Sequence, residues 1–241
     1  MVLIESKNTD AAYHFAVEEL FARYIRLNEP VLMLWQTKKT VMLGNNQVVA
    51  AEVDVEFALE SAINIVRRSS GGGAIYTDMG TVLYTVIKPL VGETKTVREE
   101  VAASVISALI KMGVPAVREG RNDILLEGKK ISGFAQYTSG SHVCTHGSLL
   151  YDTDLDTLTD VLIANEEKLR PKGIASIRSR VTNIKPYIKE SKSVEDFLST
   201  LKSILLEGID YTIYEFNNDE ITLIKHIYEE KYANQEWNLR M

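Results

Sequence analysis

The chain has 241 residues, enough for one large domain or two small ones, and its 45% hydrophobic and 25% charged residues are an ordinary globular mixture. Its net charge of −6 argues against a protein that coats nucleic acid, because phosphate binding needs surplus clustered Lys and Arg. The single cysteine, Cys144, excludes an internal disulfide, and the absence of a second cysteine excludes a paired-thiolate zinc site.

The N-terminal sequence MVLIESK lacks the basic and apolar regions of a signal peptide. No apolar run approaches the roughly 20 residues that a membrane-spanning helix needs. We therefore expect a soluble, cytoplasmic protein with neither nucleic acid nor membrane as a partner.

Periodicity predicts strands mainly in the middle of the chain and helices at its end. In chain order we predict a strand at 2–5, a helix at 9–27, strands at 31–36 and 40–43, a helix at 53–61, strands at 64–67, 74–76 and 82–88, a helix at 96–111, strands at 116–118, 123–127, 130–136 and 143–151, helices at 155–163 and 194–207, a strand at 212–216 and a helix at 219–232. This order favours an α+β fold over repeating β-α units, in a single domain over residues 1–241. The polar stretch 165–172 is the best candidate for a mobile loop.

Two arginines run directly into three glycines in the segment RRSSGGGAIY at 67–76. Ordering three glycines costs about 2–3 kcal/mol relative to alanines, so something must require bare backbone here. Successive N–H groups without Cβ atoms can cradle an anion, with the arginines adding charge. The alternative is a flexible hairpin tip. The pattern is neither a Walker loop nor a dinucleotide fingerprint.

A second polar region joins GRNDI at 120–124 to GKKISG at 128–133 through a turn at Gly128. Paired strands would bring the Asn122-Asp123 pair opposite the lysines. A carboxylate keeps a neighbouring lysine charged, and Asn and Asp oxygens suit Mg²⁺ with its phosphate ligands. The alternative is a surface hairpin whose ion pair contributes about 0–1 kcal/mol.

Three further features admit two readings each. His146 is more often a hydrogen-bonded structural residue than a ligand or base, and Cys144 is either a nucleophile or a buried, inert thiol. The segment from Lys172 to Asn183 either closes a lysine over a phosphate or forms a solvated basic edge.

Six segments, taken in order, resemble the lipoate–protein ligase family, a branch of the biotin/lipoate ligase superfamily. They are LWQ at 34–36 with GNNQ at 44–47 and Glu52, RRSSGGGA at 67–74, GRND at 120–123, GKKISG at 128–133, HGSLL at 146–150, and KGI at 172–174 with RSRVTN at 178–183, and the likeness ends at EWN in 236–238. The resemblance implies a central, mostly antiparallel or mixed sheet flanked by helices. It also implies an enzyme that salvages free lipoate by converting lipoate and ATP to lipoyl-AMP, and then transfers the lipoyl group to a lysine of a lipoyl domain.

The resemblance also assigns roles to residues of this chain. Lys130 would be catalytic, contacting the acyl carbonyl and the phosphate, with Asp123 orienting Lys130 or the incoming amine. The expected ATP and lipoyl-AMP contacts are Arg68, Ser70, Gly71, Gly72, Gly73, Ala74, Ile75, Tyr76, Asn122 and Lys172, with Arg68 facing phosphate. Asn122 and Asp123 would hold Mg²⁺, and Trp35, Gly73 and His146 would line a pocket for the lipoyl tail. Expected acceptors are E2 subunits of 2-oxoacid dehydrogenases and the glycine cleavage H protein.

The chain departs from the family pattern at three residues and in its length. Thr77 and Thr81 replace a histidine and an asparagine after the glycine loop, which puts phosphate or substrate contacts there in doubt. Phe134 replaces a small residue and would either narrow the acyl pocket or face away from it. Many members continue into a small C-terminal domain, so we expect a short form that needs a separate accessory subunit, or a truncated chain.

Two other functions stay open. An ATP-independent octanoyl or lipoyl transferase would use a cysteine thioester, but in those relatives the cysteine lies near the position of Asn122, and Cys144 is displaced from it. A non-catalytic lipoyl- or adenylate-binding module is favoured by Thr77 and Thr81, whereas the retained Asn122, Asp123 and Lys130 argue against it.

Overall fold

The computed structural model describes residues 1–163, 177–189 and 193–240, and confirms an α+β fold. The strands are β1 Val2–Ile4, β2 Val31–Trp35, β3 Thr40–Leu43, β4 Asn64–Arg67, β5 Ile75–Thr77, β6 Thr81–Pro89, β7 Val117–Glu119, β8 Asp123–Leu126, β9 Lys129–Ser139, β10 His142–Leu150 and β11 Thr212–Ile213. The helices are α1 Ala11–Glu19, α2 Val49–Glu52, α3 Val55–Glu60, α4 Thr94–Lys111, α5 Leu155–Val161, α6 Val194–Leu205, α7 Asn218–Ile227 and α8 Gln235–Leu239.

Two sheets organise the described residues. The larger has eight strands in the order β11-β1-β2-β6-β10-β9-β8-β7, and the smaller has the order β4-β3-β5. In the large sheet β1 pairs in parallel with β2 and β11, and the remaining pairs are antiparallel. In the small sheet β3 pairs in parallel with β4 and antiparallel with β5. The expected mixed, mostly antiparallel sheet is therefore confirmed.

Helices cover both faces of the large sheet, which explains why β2 and β10 are buried at every position. Alternate residues of a strand point to opposite faces. Leu32 and Leu34 pack beneath α4 and α6, whereas Val31, Met33 and Trp35 pack beneath α1 and α7. A third apolar cluster joins the small sheet to α3 and α5.

The predicted boundaries differ from the structure where local hydrogen bonds decide them. The helix predicted at 9–27 is α1 followed by a π-helix at Leu20–Ile25, and it starts after Asp10, whose side chain accepts from the Ala12 N–H. The helix predicted at 53–61 is α3, which begins after its capping residue Asp54, and the short helix α2 before it was not predicted. A π-helix at Tyr228–Tyr232 likewise extends α7, and 3₁₀ turns occupy Arg178–Arg180 and Lys185–Tyr187.

Among the residues that the structure describes, no helix combines the length and apolar character that a bilayer crossing requires. The stretch 165–172, predicted to be a mobile loop, lies outside the described residues.

Candidate active site

Lys130 and Asp123 form an ion pair across the β8–β9 hairpin, with 2.8 Å between Nζ and Oδ1. The two-residue turn at Glu127 and Gly128 has positive φ at both positions, as a tight hairpin turn requires. An irregularity between Ile124 and Leu125 shifts the register. The predicted cross-strand pairing is confirmed. Because both side chains are about one-third exposed, the pair adds little stability and its charges face open space.

Gly133 provides the room for this arrangement. A Cβ at position 133 would lie 2.8 Å from Lys130 Nζ and 2.9 Å from its Cε. Gly133 pairs with Asp123 in the sheet register, so the lysine side chain crosses directly over the glycine to reach the carboxylate. Any larger residue at 133 would displace the lysine.

Arg68 shapes the glycine loop from within. Its guanidinium donates to the carbonyl oxygens of Met42, Gly71 and Gly73 and to Ser70 Oγ, at 2.8–3.0 Å, which uses four of its five N–H groups. Burial lowers the pKa of this guanidinium to about 10. The predicted contact between Arg68 and phosphate stays a prediction, since these donors are engaged with the loop.

A second loop supports the glycine loop from outside. Gly44 lies against the Gly72 carbonyl oxygen so closely that a Cβ at 44 would collide with it. Asn45 N–H donates to the Ser70 carbonyl at 2.8 Å. Gly72 itself has φ +96°, which favours glycine. The three glycines therefore form a loop with a defined conformation and are not a flexible hairpin tip.

A buried chain of hydrogen bonds runs from the glycine loop to α1. Ser70 Oγ lies 2.6 Å from His146 Nε2, and His146 Nδ1 lies 2.8 Å from Glu18 Oε2. Because the Glu18 carboxylate can only accept, Nδ1–H donates to it, and in the neutral ring Nε2 then accepts from the Ser70 hydroxyl. His146 is therefore hydrogen-bonded through both ring nitrogens and holds the loop in place.

Glu18 also accepts the last hydrogen bond of a second chain of hydrogen bonds. The sequence analysis did not identify this residue. Thr85 Oγ1 donates to Glu18 Oε1 at 2.7 Å and accepts from Trp35 Nε1 at 3.0 Å. Glu18 is 1% exposed. A carboxylate within the apolar face of a helix is a signal that could have identified it, because buried carboxylates need partners.

A cavity of about 200 Å³, here named the Trp35 cavity, lies beside the glycine loop. Its mostly apolar walls include Phe15, Trp35, Met42 and Leu83, and at one end it reaches Asp123, Lys130 and Gly133. The structure thereby brings together Trp35, Gly73 and His146, the three residues predicted for the lipoyl tail. An apolar cavity that ends at a lysine suits an apolar chain with an anionic head.

A second cavity of about 320 Å³, the Arg180 cavity, meets the first at Lys130. The two share Gly73, Ala74, Ile75, Asp123, Lys130 and Gly133. Glu52, Tyr76, Ser132, Ser148 and Arg180 also border the Arg180 cavity. A bridge between Lys130 and Val181, with the Thr182 N–H donating to the Lys130 carbonyl at 3.1 Å, holds the Arg180 segment against β9.

The remaining predicted site residues take varied positions. Ala74 and Ile75 border both cavities, and Gly72 and Asn122 border the Trp35 cavity. Ser70 is fully buried and acts through its hydrogen bonds, and Gly71 borders neither the Trp35 cavity nor the Arg180 cavity. Lys172 lies outside the described residues.

The donor atoms at Asn122 and Asp123 fit Mg²⁺ in part. Asn122 Oδ1 is buried without a hydrogen-bond partner in the described structure, so it is a ready oxygen ligand. The Asp123 carboxylate is already paired with the Lys130 ammonium. Most ligands of a magnesium ion here would therefore be phosphate and water oxygens, as is usual for this ion with nucleotides.

Within the described ranges, one group of three residues could hold a metal: Glu18, Cys144 and His146, whose ligand atoms lie within 4.8 Å of one another. His146 and Glu18 are already joined by the hydrogen bonds described above. Burial raises the pKa of the Cys144 thiol well above its usual value, which disfavours the thiolate that a metal or an acyl group requires.

Two of the three departures from the family pattern lie away from both cavities. Thr77 Oγ1 pairs with Thr37 Oγ1 at 2.7 Å, and Thr81 Oγ1 pairs with Thr153 Oγ1 at 2.8 Å. Both threonines are fully buried and neither borders the Trp35 or Arg180 cavity. Phe134 borders the Trp35 cavity but belongs to the apolar cluster beneath α4, so its ring packs on the opposite face of the sheet from His146.

Comparison with known proteins shows where this site belongs. Lipoate-protein ligase LplJ of Bacillus subtilis is 32% identical over 242 residues, covering 99% of this chain and 73% of the relative. A structure described as a bi-partite lipoate protein ligase and its E2 lipoyl domain from Thermoplasma acidophilum superposes with a TM-score of 0.84 at 28% identity, covering 99% of this chain and 95% of that one.

A lipoate-protein ligase A bound with ATP superposes with a TM-score of 0.83 at 25% identity, covering 99% of this chain and 97% of that one. Residues 10–205 match the family described as the lipoyl protein ligase A/B catalytic domain. The expected family and enzyme class are confirmed: the chain belongs to the lipoyl protein ligase A/B catalytic domain family.

Proposed function

We propose that this chain activates lipoate with ATP to lipoyl-AMP and then transfers the lipoyl group to a lysine of a lipoyl domain. The observation that carries the proposal is the position of Lys130 where the Trp35 cavity and the Arg180 cavity meet. A carboxylate from the first cavity and the α-phosphate of a nucleotide in the second would meet there. Of the described residues that border both cavities, Lys130 is the one cation, and Asp123 forms an ion pair with it.

The proposed chemistry proceeds in two steps. A free carboxylate is a poor acyl donor, whereas its mixed anhydride with AMP is a good one. Lys130 would stabilise negative charge on the α-phosphate in the first step and on the acyl oxygen in the second. Because Gly133 and Asp123 fix the ammonium in advance, little reorganisation is needed at the moment of reaction.

Other residues have supporting roles in this proposal. The shaped backbone of Gly72 and Gly73 separates tail from phosphate, and Asp123 would orient the incoming amine. Mg²⁺, with Asn122 as a ligand, would neutralise charge on the phosphates. The contact of Lys172 with the adenylate is proposed from the family resemblance alone.

The acceptors we propose are E2 lipoyl domains and the glycine cleavage H protein. The archaeal relative is described together with its E2 lipoyl domain and as bi-partite. By likeness to that chain, we also propose a second polypeptide that assists the adenylation step. Lipoate-dependent ATP–pyrophosphate exchange, measured with this chain alone, tests this: full exchange without an added protein would remove the need for a partner.

The central experiment compares Lys130→Ala with Lys129→Ala in ATP-dependent lipoylation of a lipoyl domain, followed by intact-mass spectrometry. Lys129 is a matched control, because it is the neighbouring lysine of the same strand but is exposed and borders neither cavity. We expect Lys130→Ala to lose about 10²–10³-fold in rate, as for the loss of one preorganised donor to a developing anion. Normal turnover by Lys130→Ala would refute the mechanism.

The same assay separates the alternative functions. An ATP-independent transferase would acylate the acceptor from an acyl-protein donor without ATP, and a binding module would bind lipoyl-AMP without transfer. Using preformed lipoyl-AMP as the donor distinguishes failure of activation from failure of transfer.

A further inference from the structure

A second polar cluster, here named the Ser69 cluster, lies behind the glycine loop and consists of Ser69, Glu19, Lys231 and Tyr232. Glu19 is the last residue of α1, and Lys231 and Tyr232 end the π-helix that extends α7. None of these four residues borders the Trp35 cavity or the Arg180 cavity. Any effect of the cluster on the site must therefore pass through the loop to which Ser69 belongs.

The directions of the hydrogen bonds in the Ser69 cluster follow from the chemistry of its groups. Burial raises the pKa of Glu19, but hydrogen bonds from Lys231 and Tyr232 outweigh this effect and lower the pKa below its usual value. The ionised carboxylate can only accept, so the Tyr232 hydroxyl donates to Glu19 Oε2 at 2.8 Å. The Tyr232 oxygen then accepts from the Ser69 hydroxyl, 2.6 Å away. Lys231 Nζ donates to Glu19 Oε2 at 2.6 Å and to Ser69 Oγ at 3.0 Å.

Neighbouring carboxylates of α1 therefore hold neighbouring serines of the glycine loop. Glu18 holds Ser70 through His146, and Glu19 holds Ser69 through the C-terminal segment. The three glycines that follow are exposed, and ordering them costs about 2–3 kcal/mol relative to alanines. Because packing does not hold these glycines, their position depends on hydrogen bonds such as those at the two serines.

Tyr232 supports two walls of the Trp35 cavity at once. Its ring is 1% exposed and packs against Phe15, with 5.6 Å between the ring centroids. Phe15 is one wall of that cavity, and the glycine loop is another. The ring thus supports the first wall and the hydroxyl holds the second, so removing the hydroxyl alone separates the two contributions.

We propose that Tyr232 is a positioning residue for lipoyl transfer, which fixes Ser69 and thereby holds the glycine loop in place beside Lys130. The inference rests on the proposed function. Tyr232 touches neither the acyl group nor the nucleotide on this account, because it lies outside both cavities. It acts on the rate through the position of the loop, and small errors in the placement of reacting groups are costly.

The test compares Tyr232→Phe with Tyr228→Phe as the matched control. Tyr228 lies in the same π-helix, and its hydroxyl donates to Asp10 Oδ2 at 2.9 Å instead of to a partner near the loop. Both variants keep the ring and lose one hydroxyl. The measurements are kcat and KM with preformed lipoyl-AMP as the donor to a lipoyl domain, the melting temperature, and hydrogen exchange at the Asn45 N–H, which donates to the Ser70 carbonyl.

We expect Tyr232→Phe to lower kcat about tenfold and to accelerate exchange at Asn45 about tenfold, near the largest net effect of one neutral hydrogen bond. The KM for lipoyl-AMP should stay within twofold of wild type, because the ring still supports the apolar wall. Tyr228→Phe should stay within twofold in kcat and in exchange. A kcat of Tyr232→Phe within twofold of wild type would overturn the proposal. Equal losses in the two variants would do the same, since they would reflect stability in general.

Ser69→Ala examines the same hydrogen bond from the side of the loop. In the double variant with Tyr232→Phe, the loss in kcat should exceed the larger single loss by less than twofold, because both substitutions remove one shared bond. Single losses that multiply in the double variant would show that the two hydroxyls act independently, and the proposed role of this bond would then be wrong.

Hydrogen exchange separates this inference from the proposed function. If wild type lipoylates no lipoyl domain, with ATP and lipoate or with lipoyl-AMP, the proposed function fails. Faster exchange at Asn45 in Tyr232→Phe, and not in Tyr228→Phe, would still support the hold of Tyr232 on the loop. Unchanged exchange in Tyr232→Phe would remove that support too.

Discussion

Lys130 and Gly133 are tightly packed on β9, because the end of the lysine side chain lies within 2.9 Å of the position that a Cβ of residue 133 would take. The backbone at Gly133 is ordinary extended strand, and its φ is not among the positive values. Gly133 is therefore required for the position of the lysine and not for the conformation of the strand.

Gly133→Ala should consequently impair catalysis while leaving the fold intact. The new methyl group would displace Lys130 Nζ by about 1 Å, and a misplacement of that size can cost about 10²-fold in rate. We expect kcat for lipoylation to fall by about that factor, with a melting temperature close to that of wild type. Stopped-flow or discontinuous lipoylation kinetics together with calorimetric melting would check both.

A double-mutant cycle shows whether Gly133 acts through Lys130. In a Lys130→Met background, Gly133→Ala should add little further loss, because the group that it displaces is already gone. Equal losses in both backgrounds would mean that Gly133 affects substrate directly.

The parts of the site that could be predicted from sequence are those set by local geometry. The two-residue turn pairs β8 with β9 and so brings Asp123 and Lys130 into one hairpin, although Lys130 pairs with Leu125 and reaches Asp123 only by crossing over Gly133. The glycine loop was identifiable because three ordered glycines are costly. Contacts such as Glu18 with His146, which are 128 residues apart, depend on how α1 packs on the sheet and have no local signature.

Arg68 illustrates a different limit. Its charge and position beside the glycines suggested a phosphate contact, yet the structure shows its donors turned to the loop carbonyls. The sequence shows that a guanidinium is present. It does not show whether that guanidinium binds a ligand or the carbonyl groups of a buried loop.

Glu18 should be essential to stability, because its carboxylate accepts from both His146 and Thr85 in a buried site. Glu18→Ala leaves two donors unpaired and removes the negative charge nearest to buried Arg68, so we expect a loss of about 3–5 kcal/mol in the free energy of unfolding. Glu18→Gln keeps an acceptor for one donor and should lose about 1–3 kcal/mol. Urea unfolding measures both, with exposed Glu60→Ala as a neutral control. Glu18→Ala within 1 kcal/mol of wild type would contradict this account.

Cys144 should be unreactive in the folded protein. It is fully buried, and burial raises the pKa of its thiol, so little thiolate forms near neutral pH. Iodoacetamide should label it only after unfolding in urea, and Cys144→Ala should retain lipoylation activity. An acyl adduct on Cys144 in native intact-mass spectra would instead favour the thioester transferase.

Arg67 should control the docking of α8, although the sequence suggested that both arginines serve the glycine loop. It donates to the carbonyl oxygens of residues 237, 238 and 240 and to those of residues 44, 45 and 47, at 2.6–3.3 Å. Arg67→Ala leaves these carbonyls without their shared donor, and we expect a loss in stability of about 1–3 kcal/mol for each carbonyl that stays buried and unpaired. Arg67→Lys should recover only part of the lost stability, because an ammonium cannot reproduce the planar fork of a guanidinium.

In Arg67→Ala, hydrogen exchange should accelerate at residues 44–47 and 235–240 together, since one side chain joins these two segments. Arg240→Ala is the control: its exposed contacts with Asn45 and Trp237 should matter little. Unchanged exchange at 235–240 in Arg67→Ala would show that the apolar contacts of Trp237, not the guanidinium, hold the helix.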